Sequence, residues 1–199
     1  MTARPDTKTL LLDTAEKLFG LNGFETTSLR DITTSADVNL AAVNYHFQSK
    51  DSLIEAVVAR RIEPVNARRM ALLGAAGPDP DLEQILDAFL RHVFEANMEG
   101  ARPLMGRLIS DPVFFVDRIW DKHLAQVGQR FIDALEKALP NHPRAELALR
   151  LYFSVGVMTH MLLWGPVLPR ITGGVLDVSD RQALLQRTVT FLAAGFRAM

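Results

Sequence analysis

Apolar residues recur at intervals of three and four in every long segment of this chain, and no segment shows the sustained alternation of a β-strand. Leu11, Ala15, Leu18 and Phe19 show this spacing near the amino terminus. Glycine and proline separate the periodic segments, most clearly in the linker between residues 74 and 81 (GAAGPDPD). The sequence therefore predicts an all-α protein of about nine helices.

Composition excludes several kinds of chemistry. The 199 residues contain no Cys, so disulfides, thiolate metal sites and Cys nucleophiles are absent. The first nine residues do not form a secretory signal peptide, which predicts a cytoplasmic protein. No GxSxG, P-loop or HExxH motif occurs, and no His has Glu three residues before it, as a di-iron bundle requires. We therefore expect no enzyme activity, no catalytic residues, no metal and no cofactor.

One segment raises the question of a membrane. No formal charge occurs between Arg150 and Arg170, and a membrane helix needs about 20 apolar residues. Polar and small residues interrupt the segment, and Gly165-Pro166 is expected to break the helix before it spans a bilayer. We expect a buried interface helix and no membrane partner.

Residues 28–47 have the pattern of a helix-turn-helix. Ser28 and Asp31 form a capping box for one short helix, Asn39 caps a second, and a tight turn at residues 36–38 joins them. In such a unit the second helix reads the major groove of DNA. The pattern is common, and seven basic against nine acidic side chains give residues 1–63 a net charge of −2. Phosphate binding would therefore need a local basic surface.

The stretch from Phe24 to Leu53 (FETTSLRDITTSADVNLAAVNYHFQSKDSL) closely resembles the DNA-binding region of the TetR (tetracycline repressor) family. The matching residues are Gly23-Phe24, Thr27-Ser28, Ile32, Ala36, Val38, Tyr45-His46-Phe47, Ser49-Lys50-Asp51 and Leu53. The resemblance is specific over about residues 8–58; elsewhere it lies in length and helix order. It implies a three-helix DNA-binding domain in residues 1–60, with a fourth helix running on to about residue 73. Residues 74–199 would then form a helical domain that dimerises and binds an effector.

Two residues depart from the family pattern. Asp37 occupies the turn where the family usually has Gly, and Asp tolerates the left-handed conformation better than most residues. Asn44 stands where most members have Tyr, and Asn can pair with adenine through two hydrogen bonds. Residues 38–47 (VNLAAVNYHF) are similar to a sub-branch with fatty-acid-responsive members.

The resemblance implies DNA contacts at ten positions. Those expected to face the groove are Leu40, Ala41, Ala42 and Asn44. Those expected to hold phosphates are Thr27, Ser28, Tyr45, His46 and Lys50, while Arg30 could reach either a base or a phosphate.

A palindromic operator is read by a two-fold symmetric protein, so we expect a homodimer. The proposed interface combines two apolar stripes in the last long helices. They consist of Phe153, Gly156, His160, Leu184, Thr188, Phe191, Leu192 and Gly195.

Large apolar side chains in the middle helices suggest a hydrophobic effector cavity, with a fatty acyl group as one candidate ligand. The predicted lining residues are Met98, Met105, Phe114, Phe115, Trp120 and Met158, with Arg107 and His123 as polar anchors. A Met and aromatic stripe at helical spacing is also typical of an ordinary core.

The sequence leaves alternatives open. The ligand could act as a corepressor, or the protein could be an activator, because the sign depends on which conformation the ligand prefers. A non-specific, nucleoid-type DNA-binding protein and an enzyme are less favoured readings.

Overall fold

The structure, a computed structural model, describes residues 6–95, 102–110 and 116–198, with the backbone alone for residues 116–118. The described part is helical and contains no β-strand, which confirms the predicted fold class. Three residues of the predicted effector site, Met98, Phe114 and Phe115, lie outside the described residues.

The helices follow the predicted order. The first six are α1 (Thr7–Asn22), α2 (Leu29–Ala36), α3 (Leu40–His46), α4 (Lys50–Ala75), α5 (Leu82–Glu95) and α6 (Arg102–Ser110). A π-helical segment (Val116–Leu124) leads into α7 (Ala125–Ala138). The remainder is α8 (Arg144–Trp164), a 3₁₀ turn (Gly165–Val167), α9 (Leu168–Ile171) and α10 (Arg181–Arg197).

The chain forms two compact units, and each unit is built from two separate stretches of the sequence. The first contains the described residues up to Pro64 and those from Arg102 to His123; the second contains 65–95 and 124–198. The difference from the predicted division arises because α6 packs against α1. A Cβ at Gly20 would lie 3.0 Å from Cβ of Pro103, so glycine allows this close approach without displacing α6. The functional domains proposed from the sequence remain a prediction.

Each unit has its own apolar core. In the first unit, α1 to α4 bury Leu11, Ala15, Phe19, Ile32, Val43, Phe47, Leu53, Val57 and Val58. In the second, α10 packs mainly on α5, and the core includes Leu86, Phe89, Leu90, Phe131, Leu135, Leu147, Leu185, Val189, Leu192 and Phe196. Because Leu192 is 7% exposed and belongs to this core, its predicted place on the dimer face is wrong.

The cap at the start of α10 differs from the one that its sequence pattern suggests. Ser179 with Gln182 has the pattern of a capping box for α10. Instead Asp180 is the N-cap and accepts a hydrogen bond from the amide of Ala183 at 2.9 Å. The Ser179 hydroxyl donates to Asp177 at 2.7 Å, which holds it away from the helix terminus.

Helix α8 and its continuation have the length and composition of a membrane span. Residues Arg144–Ile171 form 28 helical residues with a mean hydropathy of 1.4 in the most apolar window, of which 17% is buried. The sequence predicted that Gly165-Pro166 would break the helix. Instead the helical path continues through a 3₁₀ turn at these residues. Most of the segment is not buried within the protomer, so its exposed apolar surface needs another explanation.

Candidate nucleic-acid interface

The turn between α2 and α3 has the geometry of a helix-turn-helix. Asp37 ends α2 in the left-handed conformation, with φ 53° and ψ 49°, as expected from the tolerance of Asp for that region. The amide of Val38 then donates to the carbonyl of Thr33 at 3.0 Å and closes the turn. Ile32 and Val43 are fully buried beneath the two helices, so packing fixes their relative direction.

Predicted caps hold the starts of both short helices. The Ser28 hydroxyl accepts from the amide of Asp31 at 3.1 Å, and the Asp31 carboxylate accepts from the amide of Ser28 at 2.8 Å. The Ser28 hydroxyl and amide together lower the pKa of Asp31. Asn39 accepts from the amide of Ala41 at 2.9 Å at the start of α3. The capping box and the Asn39 cap predicted from the sequence are confirmed.

Replacing Ser28 by Ala is expected to lower the free energy of unfolding by about 1 kcal/mol, since one amide of α2 loses its acceptor. The exposed Ser35, inside α2, supplies the matched control, because its replacement by Ala removes no cap. Urea unfolding of both variants measures the difference. Equal stability of the two variants would contradict the capping role.

Four side chains form an exposed surface on α3, here called the reading face. Leu40 is 45% exposed and Tyr45 83% exposed, and Ala41 and Asn44 are exposed between them. The side chain of Asn44 makes no hydrogen bond within the described residues. Its amide is therefore available to a base edge. Ala42 and His46 are half-buried beside this face, and the His46 ring lies edge-on to Tyr45 at 4.9 Å.

Thr27 cannot play the role predicted for it. Its side chain is 1% exposed, and its hydroxyl donates to the carbonyl of Gly23 at 2.8 Å. A buried hydroxyl that already donates within the protein cannot reach a phosphate. Thr27 fixes the connection between α1 and α2 instead, and the prediction of a phosphate contact is wrong.

Lys50 lies where the resemblance places a phosphate contact, at the first residue of α4. Its ammonium donates to the carbonyl of Glu25 at 3.2 Å, which holds the side chain beside the start of α2. The Ser49 hydroxyl accepts from the amide of Ser52 at 3.1 Å and so caps the start of α4. Arg30 is exposed and has no ion pair within the described residues. Lys50 and Arg30 therefore remain candidates for the local basic surface that phosphate binding needs.

Gln48 is a candidate that sequence reasoning missed. It is exposed between α3 and α4 and adopts a positive φ of 66°. Its position directly before Ser49-Lys50 could have indicated a DNA contact. However, Gln carries no charge and has no strong turn propensity, so the residue type alone does not predict one. Gln48 lies two residues before Lys50, which is expected to hold a phosphate.

Two basic residues of the first unit are already neutralised. Glu16 is 6% exposed and binds Arg60 at 2.5 Å and Arg61 at 2.6 Å; Arg60 also binds Asp13 at 2.7 Å. These pairs tie α1 to α4 and line a surface cleft of about 330 Å³. Arg60 and Arg61 are thus structural cations and add little to phosphate binding.

The predicted effector residues do not form one site within either unit. Met105, Arg107, Trp120 and His123 belong to the first unit, and Met158 to the second. Arg107 is exposed and donates to the carbonyl of Leu21 at 3.1 Å, so it lies on the surface and is not the predicted anchor within an apolar cavity. Trp120 is 41% exposed.

Most of the predicted dimer residues are exposed, and the exposed positions of α8 and α10 are here called the α8–α10 face. On α8, exposed positions recur at helical spacing and comprise Leu149, Tyr152, Phe153, Gly156, His160 and Trp164. On α10, Phe191 is 69% exposed and Gly195 is also exposed, while Leu184 and Thr188 are half-buried. Nothing within the described residues lies within 4 Å of a Cβ built on Gly156 or Gly195, which leaves room for another helix.

Two short helices joined by a tight turn, packed over the buried Ile32 and Val43 and presenting the exposed reading face, define a helix-turn-helix DNA-binding protein. The chain belongs to the TetR family: residues 11–57 match "Bacterial regulatory proteins, tetR family", and residues 87–195 match "Tetracyclin repressor-like, C-terminal domain". This family consists of transcriptional regulators and not of enzymes.

Individual relatives agree with the family. The chain is 33% identical over 144 residues to the regulator UidR of Escherichia coli K12, covering 68% of this chain and 70% of UidR. It is 42% identical over 57 residues to the probable regulator YttP of Bacillus subtilis, but spans only 28% of YttP. The ketosteroid transcriptional regulator KstR2 of Mycobacterium tuberculosis shares the fold, with a TM-score of 0.66 at 18% identity over 97% of this chain and 96% of KstR2.

Proposed function

We propose that this protein is a homodimeric repressor that binds a palindromic operator and is released from it by a small hydrophobic effector. The observation that carries the proposal is the reading face of α3, which is exposed above a closely packed scaffold. The protein would act in the cytoplasm, where its DNA target lies.

DNA binding would combine two kinds of contact. The reading face would lie in the major groove, with Asn44 pairing to adenine and Leu40 or an Ala methyl touching a thymine methyl. Lys50, Arg30, Tyr45 and His46 would position the unit on the phosphates. The Ser28 hydroxyl is exposed but already serves the capping box, so any phosphate contact there would share it.

The dimer is supported by the α8–α10 face. Tyr152 is 70% exposed, Phe153 56% and Phe191 69%, and such a concentration of aromatic surface is unfavourable in water. Pairing α8 and α10 with their copies in a second protomer would cover it. This also accounts for the length and apolar character of α8 without a membrane.

Repression needs no contact beyond DNA binding, since a dimer on an operator that overlaps a promoter excludes RNA polymerase. The effector would bind within the second unit, whose residues fall largely in the C-terminal family domain. A fatty acyl compound is the candidate that the sub-branch resemblance suggests. A corepressor or an activator would have the same fold, and a ligand that strengthens binding would identify one of them.

Selection of sites from a random duplex pool at near-physiological salt tests the proposal. Enrichment of one inverted repeat supports a sequence-specific dimer and provides the probe for effector screening. Binding without an enriched motif would favour a nucleoid-type protein. No binding would require a corepressor or a different function.

Two substitutions separate reading from positioning. Asn44→Ala is expected to weaken binding to the selected operator by about 1–3 kcal/mol and to relax the base preference at one base pair. Lys50→Ala should weaken all duplexes similarly and lower the salt slope of binding by about 1. Lys137, exposed on α7 in the second unit, provides the control for a lost charge. A salt slope unchanged by Lys50→Ala would refute its phosphate contact.

A further inference from the structure

A charged residue lies in the buried stripe of α4, within the second unit. Helical spacing places Asn66 and Arg69 along one side of this helix, and both are buried. Arg69 is 6% exposed. Arginine is among the residues least often buried without a partner, so its surroundings require a physical account.

The guanidinium of Arg69 has only neutral partners within the described residues. Its Nε donates to the carbonyl of Phe89 at 2.9 Å, and Nη2 lies 2.9 Å from the sulfur of Met158. The Phe89 ring faces it, with its centroid 4.4 Å from Cζ. No carboxylate pairs with it in this part of the chain. One face of the group is apolar, and no carboxylate of the described residues balances its charge.

Burial alone lowers the pKa of Arg69 to about 10, so the group remains protonated near pH 7. Nearby charges do not neutralise it. The pKa of His92 is lowered by burial first and by Arg69 second, which keeps His92 uncharged at neutral pH. The carboxylate of Glu95 pairs with Arg68 at 3.4 Å and with Arg91 at 3.5 Å. A buried, unbalanced cation of this kind destabilises the protein unless an anion binds to it.

We propose that Arg69 binds the carboxylate of a monoanionic effector whose apolar part packs in the second unit near Phe89 and Met158. A single positive charge matches a monoanion, and a planar guanidinium presents parallel N–H groups to a carboxylate. A phosphate dianion would leave one negative charge unbalanced. This inference rests on the proposed function, because it specifies the chemical class of the effector.

Thermal unfolding of the full-length protein tests the role of Arg69. The variants are Arg69→Met, which removes the charge but keeps an unbranched apolar side chain, and Arg68→Met, a control at the adjacent exposed arginine. Without added ligand, Arg69→Met should unfold at a temperature equal to or above that of the wild type, since the unbalanced charge is gone. Octanoate should raise the unfolding temperature of the wild type and of Arg68→Met by about 3 °C or more, but not that of Arg69→Met. Octanol, which lacks the carboxylate, should not distinguish the three proteins.

Any one of four results would overturn the proposal. Octanoate and shorter carboxylates could leave the wild type unchanged, or stabilise Arg69→Met equally. Inorganic phosphate could stabilise the wild type where carboxylates do not. Arg69→Met could unfold several degrees lower without ligand, which would make Arg69 a structural residue. None of these readouts needs operator DNA, so failure to select an operator would remove the proposed function without deciding the role of Arg69. Conversely, if the protein selects an operator but no carboxylate stabilises it, only this inference would be removed.

Discussion

A double variant carrying Phe153→Glu and Phe191→Glu is expected to be monomeric and to bind the selected operator at least about 100-fold more weakly than the wild type. Both side chains are more than half exposed on the α8–α10 face, where a partner would cover them. Carboxylates there would be buried without a partner on association, which strongly disfavours the dimer. A single reading unit would then hold one half-site without the effective concentration that a dimer supplies. Sedimentation equilibrium gives the mass, and fluorescence anisotropy gives the operator affinity.

Val175→Glu is the matched control for this double variant. Val175 is 91% exposed in the connection between α9 and α10, so this substitution also replaces an exposed apolar side chain by a carboxylate. It should remain a dimer and bind the operator normally. A double variant that stays dimeric would place the interface elsewhere, and a monomeric wild type would remove the proposal of a dimer.

Phe131→Ala is expected to lower the free energy of unfolding by about 4 kcal/mol. The Phe131 side chain is fully buried on α7, and its ring packs edge-on to Phe89 at 5.2 Å. Truncation removes the apolar contact and leaves a cavity in the core of the second unit, between α5 and α7. Urea unfolding at a fixed protein concentration measures the loss, since dimerisation makes stability depend on concentration.

Two further substitutions make the Phe131 result interpretable. Phe131→Leu keeps most of the volume and should cost substantially less than Phe131→Ala. Arg130→Ala, at the exposed neighbouring position, should change stability by less than about 0.5 kcal/mol. A loss below about 1 kcal/mol for Phe131→Ala would mean that the core of the second unit is packed differently.

The reading unit could be predicted closely from the sequence because its determinants are local. Ser28, Asp31 and Asn39 act within three residues of the amides they bind, and Asp37 forms the turn through its own backbone conformation. These short-range interactions depend on neighbours in the chain, which the sequence displays directly. The exposed reading face follows from the same local pattern, since helical spacing separates Asn44 and Tyr45 from the buried Val43 and Phe47.

Predictions failed where a side chain had two chemically reasonable environments. Thr27 suits a phosphate contact or a buried hydrogen bond, and only the position of the Gly23 carbonyl decides for the second. Leu192 belongs to an apolar stripe that continues around α10, and packing against the protomer's own core placed it on the inner side. Arg107 could have served as a cavity anchor, but the carbonyl of Leu21 holds it at the surface.

By itself, the sequence determined the helical class, the helix-turn-helix with its caps, and the family of this protein, because periodicity, capping and motif spacing are properties of contiguous residues. Only the tertiary structure decided which charges are balanced. Glu16 meets Arg60 and Arg61 across about 45 residues of chain, and Arg69 meets Met158 across 89. Contacts between distant segments depend on how the helices pack, and no local pattern records whether a buried cation finds a carboxylate. The neutral surroundings of Arg69, on which the proposed effector chemistry depends, are a property of the fold.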